Sequence, residues 1–191
     1  MWMGDEIHVE GNEPIILGEY IGLGGFSVVY ETTINERTYA CKVVPLSFLN
    51  EDEYRVFTRE RYLSEKLKAM EKNDEQPYPT GLPKYLEVGT GTVDFEGKDD
   101  VEVLYFIMEK GKNDLRGARL TKQEYQECVK TLIEALIVLH KQHVMHRDIK
   151  PNNIMMRDDG SFMFVDFGFA KEIGDSNNSV LGTKEYEHPA L

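Results

Sequence analysis

The stretch His146-Arg147-Asp148-Ile149-Lys150-Pro151-Asn152-Asn153 decides how this chain is read. It follows a long helical pattern and sets an Asp, a Lys two residues on and an Asn five residues on in turn-prone sequence, where several side chains can converge. Thirteen residues after Asn153, Asp166-Phe167-Gly168 follows the apolar run 162–165 and adds a carboxylate at a strand end. Asn153 and Asp166 are hard oxygen donors of the type that suits Mg²⁺, an ion that takes few protein ligands and prefers phosphate oxygens for the rest.

Upstream of this core the chain reads as helix. Thr121 with Glu124 forms a capping box, and Val129, Leu132, Ile133, Leu136 and Leu139 repeat at helical spacing, which predicts a helix ending near 140–143. The first third reads as strand. Residues 14–20 and 26–32 flank Gly22, Gly24 and Gly25, and 37–44 follows, with Tyr39, Cys41 and Val43 on one face and Ala40, Lys42 and Val44 on the other. Asn50 with Glu53 opens a further helix whose stripe runs Val56, Leu63, Leu67, Met70. Glu60 falls within that stripe, and a carboxylate on a packed face needs a cationic partner.

Residues 72–84 are polar, hold three prolines and read as a connecting loop. Strands are expected at 85–88 and 101–108, joined by a Gly/Asp-rich turn over 89–100. That turn contains Gly97-Lys98, a near miss to a phosphate-binding P-loop, which fails because Thr92 stands where a Gly is needed and Asp99 where Ser or Thr is needed. Composition shifts from strand-like to helix-like after 109–115, which places a boundary between 1–110 and 111–191.

These pieces resemble, in order, the signature set of the eukaryotic-type Ser/Thr protein kinase family: a Gly-rich loop, a strand Lys, a helix Glu, an H-R-D loop and D-F-G. Here they read Gly22-Leu23-Gly24-Gly25-Phe26-Ser27-Val28-Val29, Tyr39-Ala40-Cys41-Lys42, Glu60, the 146–153 stretch and Asp166-Phe167-Gly168, and Gly182 to Pro189 resembles the family's G-T-x-x-Y-x-x-P segment. The resemblance implies an α+β, bilobal fold: an N-lobe of antiparallel sheet plus the family's C helix, and a partial helical C-lobe. It implies ATP and Mg²⁺ as cofactors and a protein substrate, with Asp148 as catalytic base and Lys150 beside the transferring phosphoryl. By the same resemblance Asn153 and Asp166 hold Mg²⁺, and Gly22, Leu23, Gly24, Gly25, Phe26 and Ser27 cover the phosphates. Lys42, paired with Glu60, grips the α- and β-phosphates. Val29, Ala40 and Met155 line the adenine, Met108 is the gatekeeper, and Glu109 to Gly111 form the hinge. Core packing is an equal reading for Val29 and Met155. Asp114 is implied at the ribose, and His146, Phe167 and Leu63 as packing residues.

Lys150-Pro151 after the Asp resembles Ser/Thr rather than tyrosine kinases. Ser27 replaces the third glycine, from which a stiffer loop is expected. Arg147 implies an activation segment ordered by phosphorylation, with Ser176 and Ser179 as candidates and Thr183 as a structural threonine. The family's Glu after Pro189 is Ala190, and the chain given stops at Leu191, short of the family's remaining helices. Three functions stay open: a protein kinase, a truncated kinase-like regulator that binds another kinase without efficient catalysis, and a small-molecule kinase of related fold, against which Lys150, Arg147 and the 182–189 segment speak. A short chain would leave apolar helix surface for a dimer partner or a host kinase.

Composition narrows the setting. The 191 residues carry 22 Lys plus Arg against 34 Asp plus Glu, a formal charge of −12 that disfavours nucleic acid and anionic membranes as partners. Hydrophobic residues at 41% can supply a core. Cys41 and Cys128 make neither a disulfide framework nor a zinc spacing, and no leader or spanning segment is visible, so a cytoplasmic or nuclear setting is expected. Acidic residues at 109, 114, 185 and 187 would suit basic peptides.

Overall fold

In the computed structural model, which describes residues 4–72, 77–95 and 98–173, the chain divides into two compact units. The first runs up to Lys68 and resumes over Lys84–Lys110; the second takes Ala69–Pro83 and continues from Gly111. Its α+β first unit holds a small pair, β1 (Glu6–Ile7) with β2 (Ile15–Ile16), and a five-stranded antiparallel sheet. That sheet contains β3 (Tyr20–Leu23), β4 (Val28–Ile34), β5 (Arg37–Pro45), β6 (Tyr85–Phe95) and β7 (Lys98–Glu109) in the order β3-β4-β5-β7-β6, with helix α1 (Glu51–Glu71) between β5 and β6 in the chain. A two-residue turn at Asn35 and Glu36, both at positive φ, joins β4 to β5, the backbone that a tight hairpin needs.

The alternation expected on β5 holds, and both of its faces are covered. Cys41 and Val43 pack with Tyr30, Val103, Tyr105 and Ile107 beneath Ile7, Ile15 and Leu17 of the N-terminal segment. Residues 14–20 are therefore not one strand of the main sheet. Ile15–Ile16 pairs back with Glu6–Ile7, the chain crosses at Leu17 and Gly18, and only Tyr20–Leu23 joins the sheet. On the other face, Lys42 and Val44 are buried as well.

The turn expected over 89–100 is also revised, because β6 and β7 are longer than their apolar cores and form one hairpin through that segment. Gly89 and Gly91 lie within β6. A Cβ on Gly91 would sit 2.6 Å from the His8 carbonyl oxygen, and one on Gly89 2.6 Å from the Tyr105 hydroxyl, so these glycines make room for neighbours rather than for a bend. The near miss to a P-loop falls partly outside the described residues, at Gly97.

Helix α1 begins at the expected cap: Asn50 Oδ1 accepts from the backbone N–H groups of Asp52 and Glu53, and Glu53 Oε2 accepts from Asn50 N–H. Its buried face is Phe57, Glu60, Leu63, Ser64 and Leu67, with Val56 and Met70 half-buried.

The second unit contains β8 (Asn113–Asp114), α2 (Lys122–Lys141), β9 (Val144–Met145), β10 (Ile154–Met156), β11 (Phe162–Phe164) and β12 (Lys171–Glu172), with a 3-10 turn at Pro151–Asn153. The Thr121/Glu124 capping box starts α2. Its buried face is Cys128, Thr131, Leu132, Ala135 and Leu139, whereas Val129 and Ile133 lie with Tyr125 and Ile137 on an exposed apolar row. The helix is apolar on two sides, so periodicity alone merged them.

Residues 77–83 pack as part of this unit instead of merely connecting. Leu82 is fully buried, and the Gly81 carbonyl accepts from Phe164 N–H at 3.0 Å. A Cβ on Gly81 would fall 2.6 Å from the Thr131 carbonyl oxygen and 2.7 Å from Ala135 Cβ. Gly81→Val is expected to destabilise the protein by about 1–3 kcal/mol through overpacking against α2, read as a lower urea midpoint at unchanged m-value.

Candidate active site

Lys42 lies near the centre of the first unit's sheet. Its ammonium meets Glu60 Oε1 of α1 at 2.6 Å, and both side chains are buried, at 10% and 1% exposure. The rings of Phe57 and Phe106 lie 5.7 and 5.8 Å from Nζ, close enough for cation–π attraction. Helix periodicity pointed to Glu60, and the structure supplies its partner from 18 residues away.

Strand register decides what shares a face with Lys42. Val29 stands opposite Lys42 and Ala40 opposite Met108. Side chains alternate along a strand, so Val29, Ala40, Lys42 and Met108 project from one face of the first unit's sheet. Glu109 is fastened to Lys84: its Oε1 accepts from Lys84 N–H, and its own N–H donates to the Lys84 carbonyl, both at 2.9 Å. Lys110 pairs with Glu31.

The Gly-rich turn is closed from inside. Gly24 N–H donates to the Ser27 carbonyl at 2.8 Å, and the buried Ser27 hydroxyl sits where a Cβ on Gly24 would approach to 2.6 Å. Leu23 and Phe26 project from the tip into solvent. A Cβ at Gly22 or Gly25 would meet nothing within 4 Å among the described residues, so packing within the chain does not require these two glycines.

In the second unit two short ladders hold the 146–153 loop. β9 pairs with β12, extended by Ile173 N–H donating to the His143 carbonyl. β10 pairs with β11, and Val165 N–H donating to the Asn153 carbonyl at 2.9 Å carries that ladder one step further. Asn153 and the Val165–Asp166 junction are thereby fixed at the same end of one hairpin. Arg147 and Asp166 both take positive φ, 62° and 61°, a conformation that costs a non-glycine residue and persists where its surroundings enforce it.

Asp148 is buried at the centre of this loop. Its Oδ2 accepts from Lys150 Nζ at 2.8 Å and from Asn153 Nδ2 at 2.7 Å, and the same amide nitrogen donates to the Asp148 carbonyl at 2.9 Å. Asn153, expected as a metal ligand, thus also aims the carboxylate, a role the sequence did not suggest. With its nitrogen turned to Asp148, its Oδ1 is the atom left for a cation, and the exposed Asp166 carboxylate, whose Oδ1 accepts from Gly168 N–H, is a second hard donor. The donor set therefore fits Mg²⁺.

Gly111 and Met155 are brought together: a Cβ on Gly111 would lie 2.6 Å from Met155 Cβ, so the glycine admits that side chain. Asp114 stands opposite Met155 in the β8–β10 ladder, and Arg116 engages it through backbone N–H and guanidinium, which lowers its pKa. Asp114 is ion-paired with Arg116, whereas Glu109 accepts a neutral backbone N–H from Lys84. Glu185 and Glu187 lie outside the described residues, as do Ser176, Ser179, Thr183 and the 182–190 segment.

The family model described as "Protein kinase domain" matches residues 91–191, more than half of the chain. A probable serine/threonine-protein kinase of Clostridium acetobutylicum is 29% identical over 179 residues, covering 90% of this chain and 25% of that protein. One of Bifidobacterium longum is 28% identical over 189 residues, covering 91% and 26%. A cyclin-dependent kinase of Arabidopsis thaliana is 29% identical over 212 residues, covering 98% and 33%. The chain spans about a quarter to a third of the length of these relatives. It belongs to the protein kinase family, and these relatives carry the names of serine/threonine and cyclin-dependent kinases. Among the described residues no helix is long and apolar enough to cross a membrane.

His146 is the packing residue that the loop is built on. Its ring lies 4.8 Å from Phe164 and 4.9 Å from Phe167, and its Nδ1 accepts from Asp148 N–H at 3.3 Å. Burial pushes its pKa down from 6.5 to about 4. The unfolded chain then binds the proton more readily, so stability is expected to fall as pH drops from about 6.5 towards 4 and to level off below. The loss should be on the order of 3 kcal/mol for this group, at 1.36 kcal/mol per unit. Denaturant melts of wild type and His146→Phe at pH 7 and 4.5 should show the smaller pH-dependent loss in the variant.

Proposed function

We propose that this chain transfers the γ-phosphoryl group of ATP to the hydroxyl of a Ser or Thr in a protein substrate. The observation that carries the reading is the buried Asp148 carboxylate, held by Lys150 on one side and the Asn153 amide on the other. Phosphoryl transfer asks a protein mainly to position groups and neutralise charge, and that arrangement serves both ends.

The division of labour follows from the chemistry of each group. Asp148 accepts the proton of the substrate hydroxyl as that oxygen bonds to the γ-phosphorus and the bond from phosphorus to the β,γ-bridging oxygen breaks, releasing ADP. Lys150, beside Asp148, offsets charge on the transferring group. Lys42 holds the α- and β-phosphates, with Glu60 fixing the ammonium, and the turn carrying Gly22, Leu23, Gly24, Gly25, Phe26 and Ser27 offers backbone N–H groups to the phosphates. Val29, Ala40, Met108 and Met155 serve the base, as do the backbones of Glu109 and Gly111. Asn153 and Asp166 hold Mg²⁺, which when bound neutralises phosphate charge. Lys150-Pro151 supports a Ser/Thr rather than a Tyr acceptor. Free, buried thiols at Cys41 and Cys128 suit an intracellular setting, and the exposed row of α2 is where a second copy or host kinase would sit.

The test is transfer of labelled phosphate from Mg-ATP to the protein itself and to a generic Ser/Thr substrate. Asp148→Asn is expected to lower the rate by about 10²–10⁴-fold while nucleotide binding persists. Lys42→Met strands a buried Glu60 and is expected to weaken nucleotide binding and to cost about 3–5 kcal/mol of stability. Nucleotide binding without transfer, in a wild type that captures another kinase, would favour the regulator instead.

A further inference from the structure

We infer that residues 4–17 are a releasable strap over the outer face of the first unit's sheet, and that its docking controls the order of the Gly-rich turn. The inference stands on the first unit alone and does not require the nucleotide reading.

Three side chains anchor the strap: Ile7 and Leu17 are fully buried and Ile15 nearly so, all against Tyr30, Cys41, Val43 and Tyr105. Its backbone attachment to the main sheet is short. β1 and β2 share a two-residue ladder, continued by Gly4 N–H to the Leu17 carbonyl at 2.7 Å, and among the described residues the isolated bridge to the main sheet is His8 with Thr92, which exchange N–H to carbonyl bonds at 2.8 and 3.0 Å. The segment is held by three buried side chains and a few scattered backbone bonds rather than by a continuous ladder with the sheet, so it can open as a unit while the sheet stays paired. Gly91 exists in a form that permits docking, since a Cβ there would strike the His8 oxygen and the Ile7 side chain at 2.6 and 2.7 Å.

The strap's exit leads straight into the turn. Leu17 N–H bonds the Asp5 carbonyl, Gly18 N–H the Glu31 carbonyl, and β3 then runs from Tyr20 into Gly22. Among the described residues β3 is an edge strand paired with β4, and its register with β4 is already irregular between Tyr20 and Gly22. Lifting the strap removes the support on the N-terminal side of this strand and uncovers Cys41 at the same moment. Burial pushes the Cys41 thiol up to about 12, so the docked state is inert to thiol reagents and Cys41 reports opening.

The experiment uses the full chain with two opposed changes. Ile7→Asp should release the strap, while a His8→Cys/Thr92→Cys pair should lock it, because directly opposed residues of an antiparallel pair lie at disulfide-compatible separation. Thiol labelling of Cys41, followed by peptide mass spectrometry, is expected to be roughly tenfold or more faster in Ile7→Asp and to slow by a similar factor on oxidation of the locked pair, recovering on reduction. Amide exchange over 20–27 should move the same way in both, with Cys128 labelling unchanged as the internal control. Equal Cys41 labelling in the oxidised and reduced locked protein would overturn the strap. Labelling that responds while exchange over 20–27 stays constant would overturn its control of the turn. The locked variant decides the matter even where Ile7→Asp lowers overall stability.

Discussion

A lysine ammonium and a glutamate carboxylate cannot be buried singly, and the first unit is arranged around burying them together. Lys42 lies at the middle of the central strand and Glu60 on the packed face of α1, so their contact at 2.6 Å ties the helix's rotation to the sheet. Either charge alone would carry a desolvation cost of several kcal/mol, so the pair constrains geometry more than it adds stability. The rings of Phe57 and Phe106 lie within cation–π reach of the ammonium. Val29, Ala40 and Met108 inherit their direction from the same strand register that aims Lys42.

The second unit solves a different problem, that of holding an irregular loop in one shape. Its ladders are only two or three residues long, yet they clamp the loop from both ends and leave Arg147 and Asp166 in left-handed backbone. His146, wedged between two phenylalanines and accepting the Asp148 N–H, supplies the apolar foundation. Above it, the Lys150 and Asn153 bonds to one carboxylate oxygen fix the direction of Asp148.

Glycines show how differently one residue type can be used. Gly24 accommodates the Ser27 hydroxyl, Gly81 the backbone of α2, Gly91 the N-terminal segment and Gly111 the Met155 side chain. In each case the missing Cβ is replaced by a neighbour distant in sequence or across a turn. Gly89 and Gly91 suggest a turn by composition yet lie within β6, because nothing local distinguishes a glycine that bends from one that yields space.

The local features were legible from residue order. Both helix caps, the alternation on β5 and the helical phase of Glu60 depend on neighbours within one or two turns, and the ordered motifs led to the family that the comparisons then established. Tertiary structure alone decided which of the two apolar sides of α2 is buried, that the N-terminal segment covers the outer sheet face, that residues 77–83 pack on α2, and that Asn153 aims Asp148 while Arg116 and Lys84 occupy Asp114 and Glu109. The reason is physical: a cap or a periodicity is a property of adjacent dihedrals, whereas burial and hydrogen-bond partnership are settled by whichever surface, often many residues away, arrives to compete with water.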